Sequence, residues 1–428
     1  MTSRKSESTD FNIHVPQNKV KYSHMKLKKL SRILCAAQIS LLCMIPAAVN
    51  IKAQEPDPSI YEGLGSDYIF VYDSESGQVL CEKNPDERMY PASMTKIMTV
   101  LVAIEHLDNP DETVEITEEV TAGLIEANAS IAGYAPGDTV TVRDLLYGSA
   151  LPSGADASNA LAYRCAGSME GFIDMMNAKA AEIGMTSTHF ANSTGLHDDN
   201  HYSTARDIAT LLSYAIQNET FAQIFSAREY TSSPTQWYPD GIEMESTTWS
   251  AAERLGTDLP DLIGSKTGFT YEAGHCLAYW AEFNGMKIVG VNAHCDEDNI
   301  YSAGHITETS AILNRLHDYE KTVIVEEGQV LDTLTIHYSD HDETVDITSD
   351  RSIVLDMRKG NEPIITSTLA DEASAGLNDG EVTGVIRIEK DGQLMFEEGI
   401  RVTVPKEVKF WARVKMRWDS IFHKNSGK

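Results

Sequence analysis

Two β-rich runs, DYIFVYD (67–73) and QVLCEK (78–83), flank the polar turn SESG and predict an antiparallel hairpin. The period then changes. In PASMTKIMTVLVAIEHL (91–107), Met94, Ile97, Met98, Leu101 and Ile104 recur at helical spacing, with Pro91 and Ser93 as start signals. VRDLLYGSALPSGADASNALAYRCAG (142–167) predicts helix, loop and helix, broken at Pro152 and Gly154. Residues 171–185 and 202–216 each predict an amphipathic helix, the second starting at Ser203 or Thr204. HCLAYWAEF and MKIVGVNA flank Asn284-Gly285, a strong two-residue hairpin signal. ITETSAILNRLHDYEK (306–321) predicts a closing helix. Strands at both ends of 54–321 with helices between them imply an α+β fold, an antiparallel sheet with helices on both faces.

From residue 322 the texture shifts to short β-like runs with acidic turns, including a hairpin signal at Asp391-Gly392. Residues 322–405 therefore read as a small all-β domain. Beyond it, 406–428 places Val408, Trp411, Val414, Trp418 and Ile421 or Phe422 on one helical stripe, among Lys409, Arg413, Lys415 and Arg417. That pattern predicts a helix lying in a membrane interface, with docking on the β domain as the alternative. At the other end, 1–53 reads as a polar leader plus signal peptide. MKLKKLSR (25–32) is a basic region ahead of the apolar stretch 33–49, and Ala53 precedes a polar run. The stretch is short for a membrane span and holds Pro46, which favours a cleaved signal over an anchor. Met25 is a second candidate start. Neither Cys35 nor Cys43 follows the small residues a lipoprotein cut needs. The working location is thus outside the cytoplasm.

Charge changes the picture in one respect. The 428 residues carry a formal -29, with +7 in 1–53 and +5 in 406–428, leaving -41 on 54–405. So acidic a body repels phosphates, and nucleic acid is excluded as a partner. Past the leader, Cys81, Cys165, Cys276 and Cys295 show no CxxC or metal spacing and read as buried free thiols, with disulfides as the alternative. No HExxH or comparable set appears among the histidines, so neither metal nor other cofactor is implied.

The chemistry concentrates at three places. Ser93-x-x-Lys96 alone is weak, because a capping serine and a solvated lysine occur by chance in many helices. Sixty positions on, Ser153 lies in PSGAD, a tight loop between two predicted helices. A further 113 positions on, Lys266-Thr267-Gly268 opens a predicted strand. Order and company turn three weak signals into one strong one.

This set, with YPASMTKIMT, NSTGLHDDNHYSTARDIA and KTGFTYEAGHCLA, resembles the penicillin-binding proteins and serine β-lactamases. Within them it is most similar to the low-molecular-mass serine-type D-alanyl-D-alanine carboxypeptidases of peptidase family S11, over residues 60–320. The resemblance implies removal of the terminal D-alanine from peptidoglycan stem peptides, with β-lactams as acylating inhibitors. Ser93 would be the nucleophile and Lys96, one helical turn along, its base. Lys96 must then be neutral, which burial and a second cation at Lys266 favour. Ser153 would relay a proton to the departing amine, and Lys266 and Thr267 would bind the substrate's carboxylate. Gly268 would let a peptide lie flat on the strand edge, and the backbone N–H groups of Ser93 and Phe269 would form the oxyanion hole. One departure stands out. The family's Ser-x-Asn is here Ser153-Gly154-Ala155, and Asp156 or Asn159 would have to compensate. This departure supports one alternative, a penicillin-binding homologue with weak or no turnover in a binding or sensor role. A β-lactamase is the other, although the β domain and the C-terminal tail are unneeded for antibiotic hydrolysis.

Overall fold

The computed structural model describes residues 55–295, 303–337, 342–360, 363–368, 372–374, 381–390 and 393–403. The leader (1–53), the Asp391-Gly392 turn and the C-terminal segment (406–428) lie outside the described residues.

β1 (Tyr68–Asp73) and β2 (Val79–Lys83) form the predicted hairpin, with a register shift between Val71 and Tyr72. A 3-10 turn at Ala92–Thr95 leads into α1 (Lys96–His106). α2 (Val142–Ala150) opens with a capping box between Thr141 and Asp144, which satisfies backbone donors that a helix start leaves free. The PSG break separates it from α3 (Ala155–Ala166). α4 (Met169–Glu182) is capped by Ser168, and α5 (Ala205–Ala215) by Thr204, one of the two starts read from sequence. α6 (Glu219–Ser226) and α7 (Thr247–Leu255) follow. β3 (Leu262–Thr270), β4 (Gly274–Phe283) and β5 (Met286–Cys295) then complete the sheet before α8 (Gly304–Leu316).

The five strands run β2-β1-β5-β4-β3, every neighbour antiparallel. Asn284 and Gly285 both take positive φ, joining Phe283 to its partner Met286 in the tight turn expected of that dipeptide. Side-chain alternation sorts the strands' residues into two cores. Phe70, Ala278, Val289 and Val291 pack with α1 to α6, whereas Ile69, Val71, Leu277, Tyr279 and Ile288 pack with α8. Because both faces are covered, the central strands are apolar throughout instead of alternating with polar residues.

Two boundaries differ from the sequence reading. The closing helix stops at Leu316, not 321, because Tyr319–Val325 is a strand pairing with Ile353–Arg358. Asn284 donates to the carbonyls of His317 and Tyr319 at that exit. Ser93 does not start the α-helix but lies in the 3-10 turn before it.

The rest of the described chain is β-rich. Val330–His337 pairs with Asp342–Thr348 and with Glu372–Ser374; Ile364–Ser367, Glu381–Lys390 and Gln393–Thr403 form another sheet. A small core of Val325, Ile353, Leu355, Met357, Ile388 and Phe396 fills this region. It is tied to the first hairpin by Gln78, whose amide bonds both the N–H and the C=O of Asp356. Among the described residues Cys81 and Cys276 are buried free thiols, Cys165 is a half-buried one, and Cys295 is buried. Among the described residues no helix is long and apolar enough to cross a membrane.

Candidate active site

Ala92 adopts φ +44°, which turns the chain sharply just before Ser93. In the 3-10 turn that follows, side chains three apart eclipse one another, and Lys96 Nζ comes to 3.0 Å from Ser93 Oγ. Nζ also donates to the carbonyl of Thr194 at 2.6 Å. Lys96 is only 2% exposed. Burial pushes its amine down to about 7, against the opposing charge of Asp156. A large share of this amine is therefore neutral at ordinary pH while it sits against a hydroxyl, the condition a lysine base needs.

Two glycines make this approach possible. Gly195 has φ +83°, and a Cβ there would fall 1.9 Å from the Ala92 carbonyl oxygen. A Cβ on Gly268 would meet Ala92 Cβ, Pro91 O and Ser93 N, each at 3.1 Å. Gly268 thus lets β3 close on the nucleophile's own segment, a packing role beyond the one read from sequence.

Lys266 is buried beside Lys96, and the two border a small apolar void with Phe221 and Phe225. Its Nζ donates to the Thr267 carbonyl at 3.0 Å. Burial and the neighbouring Lys96 amine hold Lys266 well below the ordinary lysine range. Of the two causes expected for Lys96, burial is the one that lowers it, and the repulsion between the two amines tells on Lys266. Thr267 Oγ1 pairs with Thr247 Oγ1 at 2.6 Å.

Ser153 takes φ +65° and is buried, and its Oγ makes no hydrogen bond among the described residues. It lies in the expected loop between α2 and α3, and no hydrogen bond among the described residues joins it to Lys96 or Ser93. Ala155 opens α3 with its N–H on the Ser130 carbonyl at 2.8 Å. Neither proposed substitute for the missing amide is available. Both oxygens of Asp156 are taken by the N–H groups of Ala132, Gly133 and Tyr134. Asn159 donates to Val120 O and accepts from Ser193 Oγ. Both side chains hold loops.

Ser93, Lys96, Ala155 and Phe269 line one cavity of about 240 Å3, closed by residues 127–130, 194–197 and 270–272. β3 is the edge strand of the sheet, so one side of its backbone is open to an extended ligand. A serine with a neutral lysine, opening onto a free strand edge, is equipped for acyl transfer from a peptide. The model of peptidase S11, D-alanyl-D-alanine carboxypeptidase, matches residues 53–295, more than half of the chain.

The chain belongs to this family.

As a family member it is a serine-type D-Ala-D-Ala carboxypeptidase acting on D-Ala-D-Ala peptides. The D-alanyl-D-alanine carboxypeptidase DacF of Bacillus subtilis (strain 168) is 30% identical over 345 residues, 77% of this chain and 83% of DacF. DacC of Escherichia coli (strain K12) is 30% identical over 410 residues, covering 92% of this chain and 96% of DacC. Among solved structures, penicillin binding protein 5 from Haemophilus influenzae superposes with a TM-score of 0.60 at 25% identity, over 81% of this chain and 98% of its own. The Streptomyces K15 DD-transpeptidase gives 0.52 at 30% identity, over 59% and 96%. The α+β sheet and the trailing β sheets both lie within the penicillin-binding protein 5 match.

The structure adds residues that motif reading left without roles in this carboxypeptidase. Thr194 and Gly195 come from NSTGLHDDN, and His201 from the stretch that follows it. A glycine between Thr194 and Leu196 was visible in sequence; that it faces Ala92 was not.

Proposed function

We propose that Ser93 carries the acyl group and that Lys96 is its base. The 3.0 Å approach of Nζ to Oγ, with the amine lowered to about 7, carries this reading. Lys96 takes the Oγ proton as oxygen attacks the penultimate D-alanine carbonyl carbon. The carbon–nitrogen bond to the terminal D-alanine then breaks, and the leaving nitrogen takes, through Ser153, the proton that Lys96 received. Neutral again, Lys96 deprotonates the water that attacks the ester and returns that proton to Ser93 Oγ as the acyl group leaves. The N–H groups of Ser93 and Phe269 would hold the developing oxyanion, a type of contact worth about 10²–10³ in rate. The substrate's carboxylate would bring the counter-charge that restores a proton to Lys266, with Thr267 beside it, while Lys96 stays neutral.

A labelled penicillin should form a covalent adduct with the wild type and none with Ser93→Ala. Equal labelling of both would overturn the assignment. Release of D-alanine from a peptide ending in D-Ala-D-Ala, measured beside β-lactam hydrolysis, separates peptidase from β-lactamase. Ala155 favours a second reading, slow turnover after acylation, which would appear as a long-lived adduct without D-alanine release.

The basic leader and the amphipathic 406–428 support an exported protein resting on the outer face of the cytoplasmic membrane. Deleting 406–428 should shift the protein from vesicles to the soluble fraction; unchanged partitioning would reject the membrane role.

A further inference from the structure

An extended peptide placed between the edge of β3 and the facing wall must find partners for N–H and C=O groups on both sides once water leaves. β3 serves one side. The cavity wall outside β3 includes Ala127, Asn128, Ala129, Ser130 and Ala155, of which three carry only a methyl side chain. Asn128 alone on that wall carries both an amide donor and an amide acceptor. Its side chain is exposed to the cavity and has no hydrogen-bond partner among the described residues. Its backbone sits at φ +50°, after the turn closed by the Ala127 N–H on Gly123 O and the Asn128 N–H on Ile125 O. The same loop is anchored beside the acylation centre by the bond from Ala155 N–H to Ser130 O.

We propose that Asn128 reads the backbone amide of the substrate's acyl portion, supplying from a loop the contact that Ala155 lacks. Asn128 is thus a specificity-determining residue that pairs with the peptide group preceding the scissile one. This rests on the acyl-enzyme reading above. A positive-φ asparagine also has a purely structural use, since Asn and Gly are the residues that tolerate such a turn. Asn128→Gly separates the two uses, because it keeps the turn and removes the amide.

Acylation rates would be measured with benzylpenicillin, whose side-chain amide stands in for that peptide group, and with 6-aminopenicillanic acid, which has a bare amine there. Asn128→Gly should slow benzylpenicillin by about 10-fold or more and leave 6-aminopenicillanic acid nearly unchanged. Asn128→Asp, of the same shape, should show the same selective loss, and Ala155→Asn added to Asn128→Gly should recover part of it. Equal losses on both compounds, no loss on either, or the selective loss appearing in Ser130→Ala instead would overturn the inference. Failure of the wild type to form a Ser93 adduct would overturn the acyl-enzyme reading itself, and this inference with it.

Discussion

His201 and Thr95 are joined by a 2.7 Å hydrogen bond that ends, one hydroxyl later, on the carbonyl beside the nucleophile. The Ala191 N–H donates to Nδ1 at 2.9 Å, which leaves the proton on Nε2. Nε2 then donates to Thr95 Oγ1, and Thr95 Oγ1 donates to Ala92 O at 2.7 Å. Ala92 is the residue held at φ +44°, so this chain braces a backbone conformation that its neighbours must enforce. His201→Leu strands the Ala191 N–H and removes the brace. A loss of about 1–3 kcal/mol in stability follows, read by urea unfolding, with acylation slowed more than penicillin binding is weakened. An unchanged acylation rate would reduce His201 to a core residue.

The same imidazole makes a pH prediction. Burial pushes His201 from 6.5 down to about 4. The unfolded chain takes up its proton near 6.5 while the folded protein refuses it until about 4. The stability from the neutral ring is complete above 6.5 and is lost as pH falls through that window. The slope is at most about 1.4 kcal/mol per pH unit. In unfolding curves at pH 7, 5.5 and 4.5, the stability advantage of the wild type over His201→Leu should shrink step by step as pH falls.

Lys96 sets the pH dependence of the chemistry. Its burial brings the amine to about 7, and only the neutral form accepts the Ser93 proton. The acylation rate constant should therefore climb about tenfold per unit below 7 and level off above it. Lys96→Arg, always charged, should lose at least about 10² in acylation while the protein still folds. A flat profile from pH 5 to 9 would remove Lys96 as the base.

Much of this fold was legible because its signals are local. Asn284-Gly285 could only be a tight turn, and Thr204 lay where a helix needed a cap. The extent of the last helix was not legible, since the pairing of Tyr319–Val325 with Ile353–Arg358 is a tertiary event. Ser93, Lys96 and Lys266 were found by spacing and company. By contrast, the structural employment of Asp156 and Asn159 depends on which loops they meet, and neither residue's neighbours in sequence reveal it. Thr194 and Gly195 were missed for the same reason: they act through backbone atoms, which leave no side-chain signature.

Gly195→Ala should be among the most damaging single-methyl additions. The new Cβ would sit 1.9 Å from a carbonyl oxygen that cannot swing aside, at a φ of +83° that alanine resists. A loss of more than about 3 kcal/mol, or failure to accumulate as folded protein, is expected. Near-normal melting and labelling of the variant would show that the 92–93 segment is free to move.

The joint between the first hairpin and the β-rich region holds two carboxylates, Asp73 and Asp356, both fully buried. Burial opposes ionisation at Asp73, but the Lys287 N–H and the Lys321 ammonium outweigh it and hold that carboxyl below its ordinary value. Asp356 goes the other way. Burial first, and the Asp73 charge second, push it from 3.8 up to about 7, so the pair keeps one proton. An acid raised in the folded state gives stability that is complete below about 4 and drains away as pH rises to 7, at up to about 1.4 kcal/mol per unit. The contribution of Asp356 should therefore shrink between pH 5 and 8, read as the difference in stability between the wild type and Asp356→Asn. Asp356→Asn keeps an acceptor for Ser76, which donates to Asp356 at 2.8 Å, and offers Asp73 an amide donor in place of a second charge. It should match the wild type at pH 5 and exceed it by about 1–3 kcal/mol at pH 8. Parallel stability curves for the two proteins across that range would mean that the carboxylates do not share a proton.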